Sequence, residues 1–116
     1  MHELSLCRSI YAITARAAGT RRVTQVSLDV GQLRQVIPET LVRCWAVVTA
    51  ATPLAGAALT VNHIPARAVC EDCGARSALG PGLTFACGAC GGRGLRIETG
   101  EEFLVRSIDV ADGPPP

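Results

Sequence analysis

Lysine is absent from this chain of 116 residues, and all eleven basic residues are arginines. They are scattered and set against ten acidic residues, leaving a formal net charge of +1. A chain so balanced lacks the broad positive field that holds nucleic acid or an anionic membrane surface. Aromatic residues make up 3% of the chain. Stacking platforms for bases are therefore missing, and the core must be built from Val, Leu, Ile and Ala. No apolar run approaches the roughly 20 residues that span a bilayer. The opening MHELSLC has no basic region followed by a long apolar stretch, so it does not read as a signal peptide. The expected compartment is the cytoplasm. Thiols stay reduced there, and the six cysteines read first as metal ligands or core residues, not as disulfides.

The length suffices for one modest core. Residues 2 to about 18 read as an amphipathic helix, with Leu4, Cys7, Ile10 and Tyr11 at helical spacing and Gly19 as its end. RVTQVSLDV, 22–30, carries Val26, Leu28 and Val30 at period two and predicts a strand closed by Gly31. Pro38 suits a first helical position. The run after it, with Leu41, Trp45 and Val48 along one face, predicts a second helix to about Ala51. AALTVNHI, 57–64, is a second strand with Leu59 and Val61 in phase; His63 continues that face as a structural or edge-exposed residue. LRIET, 95–99, is a short strand. EEFLVRSIDV, 101–110, is a clear one, with Leu104, Ile108 and Val110 in phase. The order predicts an α+β fold: two helices packed on a small three-stranded sheet, with a cysteine module inserted before the last main strand. The expected division is an α+β domain over 1–65 plus 99–112, a module over 66–98, and an unstructured tail at 113–116.

The module is rich in Gly, Cys and Arg and has no long periodicity. It cannot bury enough apolar surface to hold itself together. CEDCG at 70–74 and CGACG at 87–91 are two C-x-x-C-G units. Each can form a tight turn that aims two sulfurs at one point, with the following glycine free to take a positive φ. Four thiolates from Cys70, Cys73, Cys87 and Cys90 make the closed tetrahedral site that zinc prefers. A redox dithiol would call for one activated pair, not two symmetric ones. A rubredoxin-like iron centre would be surrounded by aromatic residues, and only Phe85 is near. Zn(II) is the expected ion, and a closed site leaves no position for a substrate, so its role is structural. Arg67, Arg76 and Arg93 lie near enough in sequence to offset its net negative charge. Cys7 and Cys44 fall on or beside apolar helix faces and read as core cysteines.

The start of the chain carries a second donor set. A terminal amine followed by His offers the amine of Met1, the backbone nitrogen of His2 and the His2 imidazole to one ion. A deprotonated amide ligand suits nickel(II) or copper(II) in square-planar or tetragonal geometry in preference to zinc. Met1 is expected to be retained, because aminopeptidases act mainly before small residues.

Met1, His2, Glu3 and Ser5 at the start, with two C-x-x-C-G knuckles in a chain of this length, resemble the HypA/HybF family, the nickel metallochaperones of nickel–iron hydrogenase maturation. VSLDVGQL, PETL and LRIETGEEFLVRSIDV resemble segments of that family in the same order. The resemblance implies Ni(II) as cargo at the N-terminus, held at Met1 and His2 with Glu3 beside them, and structural zinc at the four cysteines. It implies a HypB-type GTPase and the hydrogenase large subunit as partners, with urease maturation proteins in some organisms. It implies no enzymatic activity. One position departs: family members commonly carry a carboxylate just before the second helix, and Ile37 stands there. The alternative to the nickel reading is a zinc-ribbon protein-interaction adaptor without nickel function.

Overall fold

A computed structural model of the chain describes residues 2–79 and 85–111. The tail expected at 113–116 lies outside these residues. The chain folds as two compact units. The first comprises Met1–Asp29, Val36–Asn62 and Leu104–Pro116; the second comprises Val30–Gln35 and His63–Phe103.

Helix α1 (Glu3–Ala18) buries Glu3, Cys7, Ile10, Thr14 and Ala18. The steps of three and four residues make one stripe along the helix. This corrects the expected stripe through Leu4 and Tyr11: Leu4 is 39% exposed and Tyr11 half-buried, while Glu3 is only 5% exposed. The helix ends at Gly19, whose φ is +62°. The Arg21 guanidinium then donates to the carbonyls of Ala17 and Ala18, each at 3.2 Å, satisfying groups that a helix end leaves unpaired.

Strand β1 (Val23–Gly31) buries Val26, Leu28 and Val30 as its period-two pattern requires. A short 3-10 turn, Gln32–Arg34, leads to helix α2 (Pro38–Thr49), with the proline in its first turn. Leu41 and Trp45 are buried in α2, and the Trp45 indole N–H donates to the Ala57 carbonyl at 2.9 Å. Strand β2 (Ala58–Ile64) follows. The second unit then contributes β3 (Arg67–Cys70), β4 (Arg76–Ala78) and β5 (Leu95–Thr99), and the chain returns as β6 (Phe103–Val110).

The main sheet has the order β2-β1-β6. β6 runs antiparallel to β1: the Ala111 N–H reaches the Arg22 carbonyl at 2.9 Å at one end, and the Gly31 N–H reaches the Glu102 carbonyl at 2.7 Å at the other. In the first unit the largest fully buried side chains include Ile10, Val26, Leu28 and Leu41. The fold is α+β with two helices and a small three-stranded sheet, as the patterning predicted. In β6 the expected phase fails at Leu104, which is 57% exposed, while Phe103 and Val105 are half-buried. Arg106 and Ser107 are both exposed, so the alternation slips between Val105 and Ile108.

The second unit has a sheet of its own, β4-β3-β5, both pairings antiparallel. Its core is small: Ala66, Ala68 and Leu79, with Leu33, Leu95 and Ile97 packed against them. The 3-10 turn supplies Leu33, and Gln32 beside it fixes the turn in place. The Gln32 amide oxygen accepts from the Ala66 N–H at 2.8 Å, and its amide nitrogen donates to the Leu79 carbonyl at 3.5 Å. A core of two buried alanines and one leucine offsets little of the entropy lost in ordering this segment, so the second unit needs a further constraint.

Candidate metal centres

That constraint is available at the knuckles. In each, the glycine after the second cysteine has a positive φ, +77° at Gly74 and +74° at Gly91. In each, that glycine's N–H returns to the first cysteine's carbonyl at 2.8 Å: Gly74 to Cys70 and Gly91 to Cys87. The first cysteine's N–H closes a second bond, Cys70 to Ala75 at 2.9 Å and Cys87 to Gly92 at 2.7 Å. Two local sequences thus fold into one repeated turn, and the four sulfurs converge.

The sulfurs of Cys70, Cys73, Cys87 and Cys90 all lie within 4.8 Å of one another. The pairs Cys70–Cys90 and Cys73–Cys87 are 3.6 Å apart. A tetrahedral zinc with bonds of about 2.3 Å needs sulfurs about 3.8 Å apart, so the donor set fits the ion. The electrostatics agree. Backbone N–H groups of Cys90 and Ala89 hold the Cys87 thiol down at about 6. At Cys90 the Gly92 N–H favours the thiolate, but the sulfurs of Cys70, Cys73 and Cys87 outweigh it and push the group up to about 12. One thiolate forms readily; gathering four needs a cation among them. Cys70 and Cys87 are buried, Cys73 and Cys90 exposed.

Asp72 is a neighbour that spacing did not reveal. A Cβ built on Gly92 would lie 2.7 Å from the Asp72 carboxylate, and one on Gly94 would lie 3.6 Å from it. The Glu71 N–H also bonds to the Gly94 carbonyl at 2.8 Å. The first knuckle therefore leans on the glycines after the second. Of the three arginines expected near the site, Arg76 is engaged by Glu98 at 3.2 Å.

At the other centre, Met1 lies outside the described residues. His2 is exposed and stands at the N-cap of α1, its carbonyl accepting the Leu6 N–H at 2.9 Å. Glu3, next to it, is buried. The terminal ammonium, and then backbone N–H groups of Glu3 and Ile37, hold its carboxyl below the ordinary carboxylate range. Ile37 is the N-cap of α2 and makes no side-chain cap. One turn further along both helices, the Cys7 thiol donates to the Leu41 carbonyl at 3.3 Å. Burial, with the charges of Cys44 and Glu3 added, pushes the Cys7 thiol up to about 11. Cys7 is a core thiol; Cys44 is half-buried.

The profile of the family described as "Hydrogenase/urease nickel incorporation, metallochaperone, hypA" matches residues 1–110. The chain belongs to the HypA family. It is 37% identical over 110 residues to the Hydrogenase maturation factor HypA of Geobacter metallireducens, covering 95% of this chain and 99% of that one. It is 39% identical over 110 residues to the namesake of Geotalea uraniireducens, with the same coverage. It is 38% identical over 113 residues to that of Paracoccus denitrificans. Among solved structures, the Ni metallochaperone HypA from Helicobacter pylori superposes with a TM-score of 0.65 over 95% of this chain and 97% of that one, at 18% identity. That last likeness is one of fold. The HypA family is one of nickel metallochaperones in hydrogenase maturation, and the four-cysteine cluster suits a structural zinc. No helix among the described residues is long and apolar enough to cross a membrane.

Proposed function

We propose that this chain carries nickel(II) to a nickel–iron hydrogenase during its maturation, binding the ion through the Met1 amine, the backbone nitrogen of His2 and the His2 imidazole, with Glu3 beside them. The zinc at Cys70, Cys73, Cys87 and Cys90 holds the ribbon and takes no part in the cargo chemistry. The carrying observation is the family match beginning at residue 1, at whose head the His2 side chain is exposed. The first N–H groups of a helix have no intrahelical acceptor, so a backbone nitrogen there is open to metal without breaking the helix ladder. The chain works in the cytoplasm, has no catalytic activity of its own, and passes its ion on with a HypB-type GTPase to the hydrogenase large subunit, or to urease maturation proteins.

Nickel titration calorimetry tests the reading on untagged protein, on protein with a short N-terminal extension, and on His2→Ala. Binding must displace protons from the amine, the ring and an amide. Affinity is therefore expected to rise with pH. Both altered proteins are expected to lose specific nickel binding while keeping their zinc. An extended protein that binds as tightly as the untagged one shows that the amine is no ligand. If His2→Ala binds normally as well, the chain is a zinc-ribbon adaptor.

A further inference from the structure

The nickel reading leaves Glu3 beside the chelating nitrogens without a stated task. We propose that Glu3 is a positioning residue and not a nickel ligand: its buried carboxylate ties the head of α1 to the head of α2 through the Ile37 N–H, and so presents His2 in a fixed setting. This role rests on the nickel reading above.

The geometry comes from two successive helical turns. The Cys7 thiol of α1 reaches the Leu41 carbonyl of α2 at 3.3 Å. Glu3 lies one turn before Cys7, and Ile37 lies one turn before Leu41, with the Leu41 N–H on the Ile37 carbonyl at 3.0 Å. The Ile37 N–H bonds to the Glu3 carboxylate, so the two helices meet again one turn earlier, at Glu3 and Ile37. Glu3 is 5% exposed, on the buried stripe it shares with Cys7 and Ile10. His2 next to it is exposed. The two side chains thus face different surroundings.

A carboxylate at this place serves both helix ends. The first N–H groups of each helix are unpaired and carry the positive end of the helix dipole. Ile37 has no side-chain acceptor for the N–H groups further along its own helix; Glu3 supplies from α1 an acceptor for the N–H of the N-cap residue itself. Turning Glu3 outward onto a metal would strip the start of α2 of that partner and leave the Ile37 N–H without it. Keeping Glu3 inward leaves nickel its three nitrogen donors from Met1 and His2, and the terminal amine exchanges its hydrogen bond to the Glu3 carboxylate for the ion. With the first turn of α1 anchored, less ordering remains to be done when the ion arrives.

Three substitutions in zinc-loaded, untagged protein separate a strut from a ligand: Glu3→Gln, Glu3→Ala and Ile37→Pro. Glutamine keeps an acceptor for the Ile37 N–H and removes the charge. Proline removes the N–H and leaves the carboxylate. The readouts are nickel affinity, the ligand-field absorption of the nickel complex, and amide exchange from Glu39 to Leu41, with zinc content as the check on folding. Glu3→Gln is expected to bind nickel within about threefold of the wild type, with an unchanged ligand-field spectrum. Glu3→Ala and Ile37→Pro are each expected to bind about tenfold more weakly and to exchange faster at the start of α2. If Glu3→Gln loses nickel as fully as Glu3→Ala, or alters the spectrum, the carboxylate is a ligand and the proposal is overturned. Unchanged nickel affinity in Ile37→Pro overturns it equally. If the wild type itself takes no nickel, the nickel reading falls and the positioning role falls with it, an outcome set apart from the others because it needs no variant.

Discussion

Gly31 and Gly100 approach so closely that a Cβ on Gly31 would fall 2.1 Å from both the carbonyl carbon and the carbonyl oxygen of Gly100, and 2.6 Å from the Glu101 nitrogen. Only backbone stands in the way, and backbone cannot rotate aside as a long side chain can. The approach is held by neighbouring bonds: the Leu33 N–H meets the Gly100 carbonyl at 2.8 Å, and Arg34 Nε meets the Glu101 carbonyl at 2.7 Å. Gly31→Ala must push these segments apart, displacing Leu33 from the small core of the second unit. The expected loss is about 2–3 kcal/mol, read by denaturant unfolding of the zinc-loaded protein. A loss below about 0.5 kcal/mol, the ordinary range for a surface change, would show that the two segments relax freely.

The elements that periodicity carries were legible. Both helices and strands β1 and β2 fall within two residues of their expected bounds because each is long enough to repeat its pattern. The knuckles were legible for another reason: the spacing C-x-x-C-G determines a turn by itself. β3 and β4, at four and three residues, are too short to show a period, and they exist because they pair with β5. The turn at 32–34 was missed because its packing partners, Ala66 and Leu79 against Leu33, are distant in sequence. Leu4 and Glu3 exchanged expected places for a physical reason. An acid is assigned to solvent when its partners are unknown, yet here the terminal ammonium and the backbone N–H groups of Glu3 and Ile37 serve the carboxylate and the acid goes inside. Nothing in the local sequence announces the Ile37 donor.

Ile37 is 57% exposed at the N-cap of α2, so replacing it removes little packing. Ile37→Asp provides an oxygen for the free N–H groups of the first turn and is expected to stabilise the protein by about 1 kcal/mol. The new carboxylate lies near Glu3, and the two repel. The gain should therefore be smaller at low ionic strength and grow as salt screens the pair. Nickel bound at the head of α1 would be drawn toward the added charge, and its affinity should rise. Thermal unfolding at two salt concentrations, with and without nickel, checks each part. A net loss of stability at high salt would mean that Ile37 packs more tightly than its exposure indicates.

The last prediction joins the four sulfurs to pH. Without metal, Cys87 ionises at about 6, so at pH 7.5 it is already mostly thiolate, while Cys90, pushed up to about 12, is a thiol. Cys73 is also raised: the Ala75 N–H and the Cys90 sulfur favour its thiolate, but the Cys87 sulfur, desolvation and the Cys70 sulfur outweigh them. Zinc needs all four as thiolates, so binding near pH 7.5 must release at least the protons of Cys73 and Cys90, and that of Cys87 as well once the pH falls below the range where Cys87 ionises. The sign follows. Protons compete with the ion, so zinc affinity rises with pH, and acid releases the metal first from the ribbon. Competition with a chromophoric chelator across pH 6 to 8.5 should give a log K that rises with pH, more steeply toward the acid end. Cys73→Ala removes one ligand and leaves an open site. It is expected to weaken zinc by several orders of magnitude and to speed amide exchange over 66–98. The helices should stay protected, since Ile10, Leu28, Leu41 and Trp45 are buried in the first unit's own core. A flat slope would show that the thiols do not carry the ion. Unchanged zinc affinity in Cys73→Ala would remove Cys73 from the ligand set, and with it the closed tetrahedral centre.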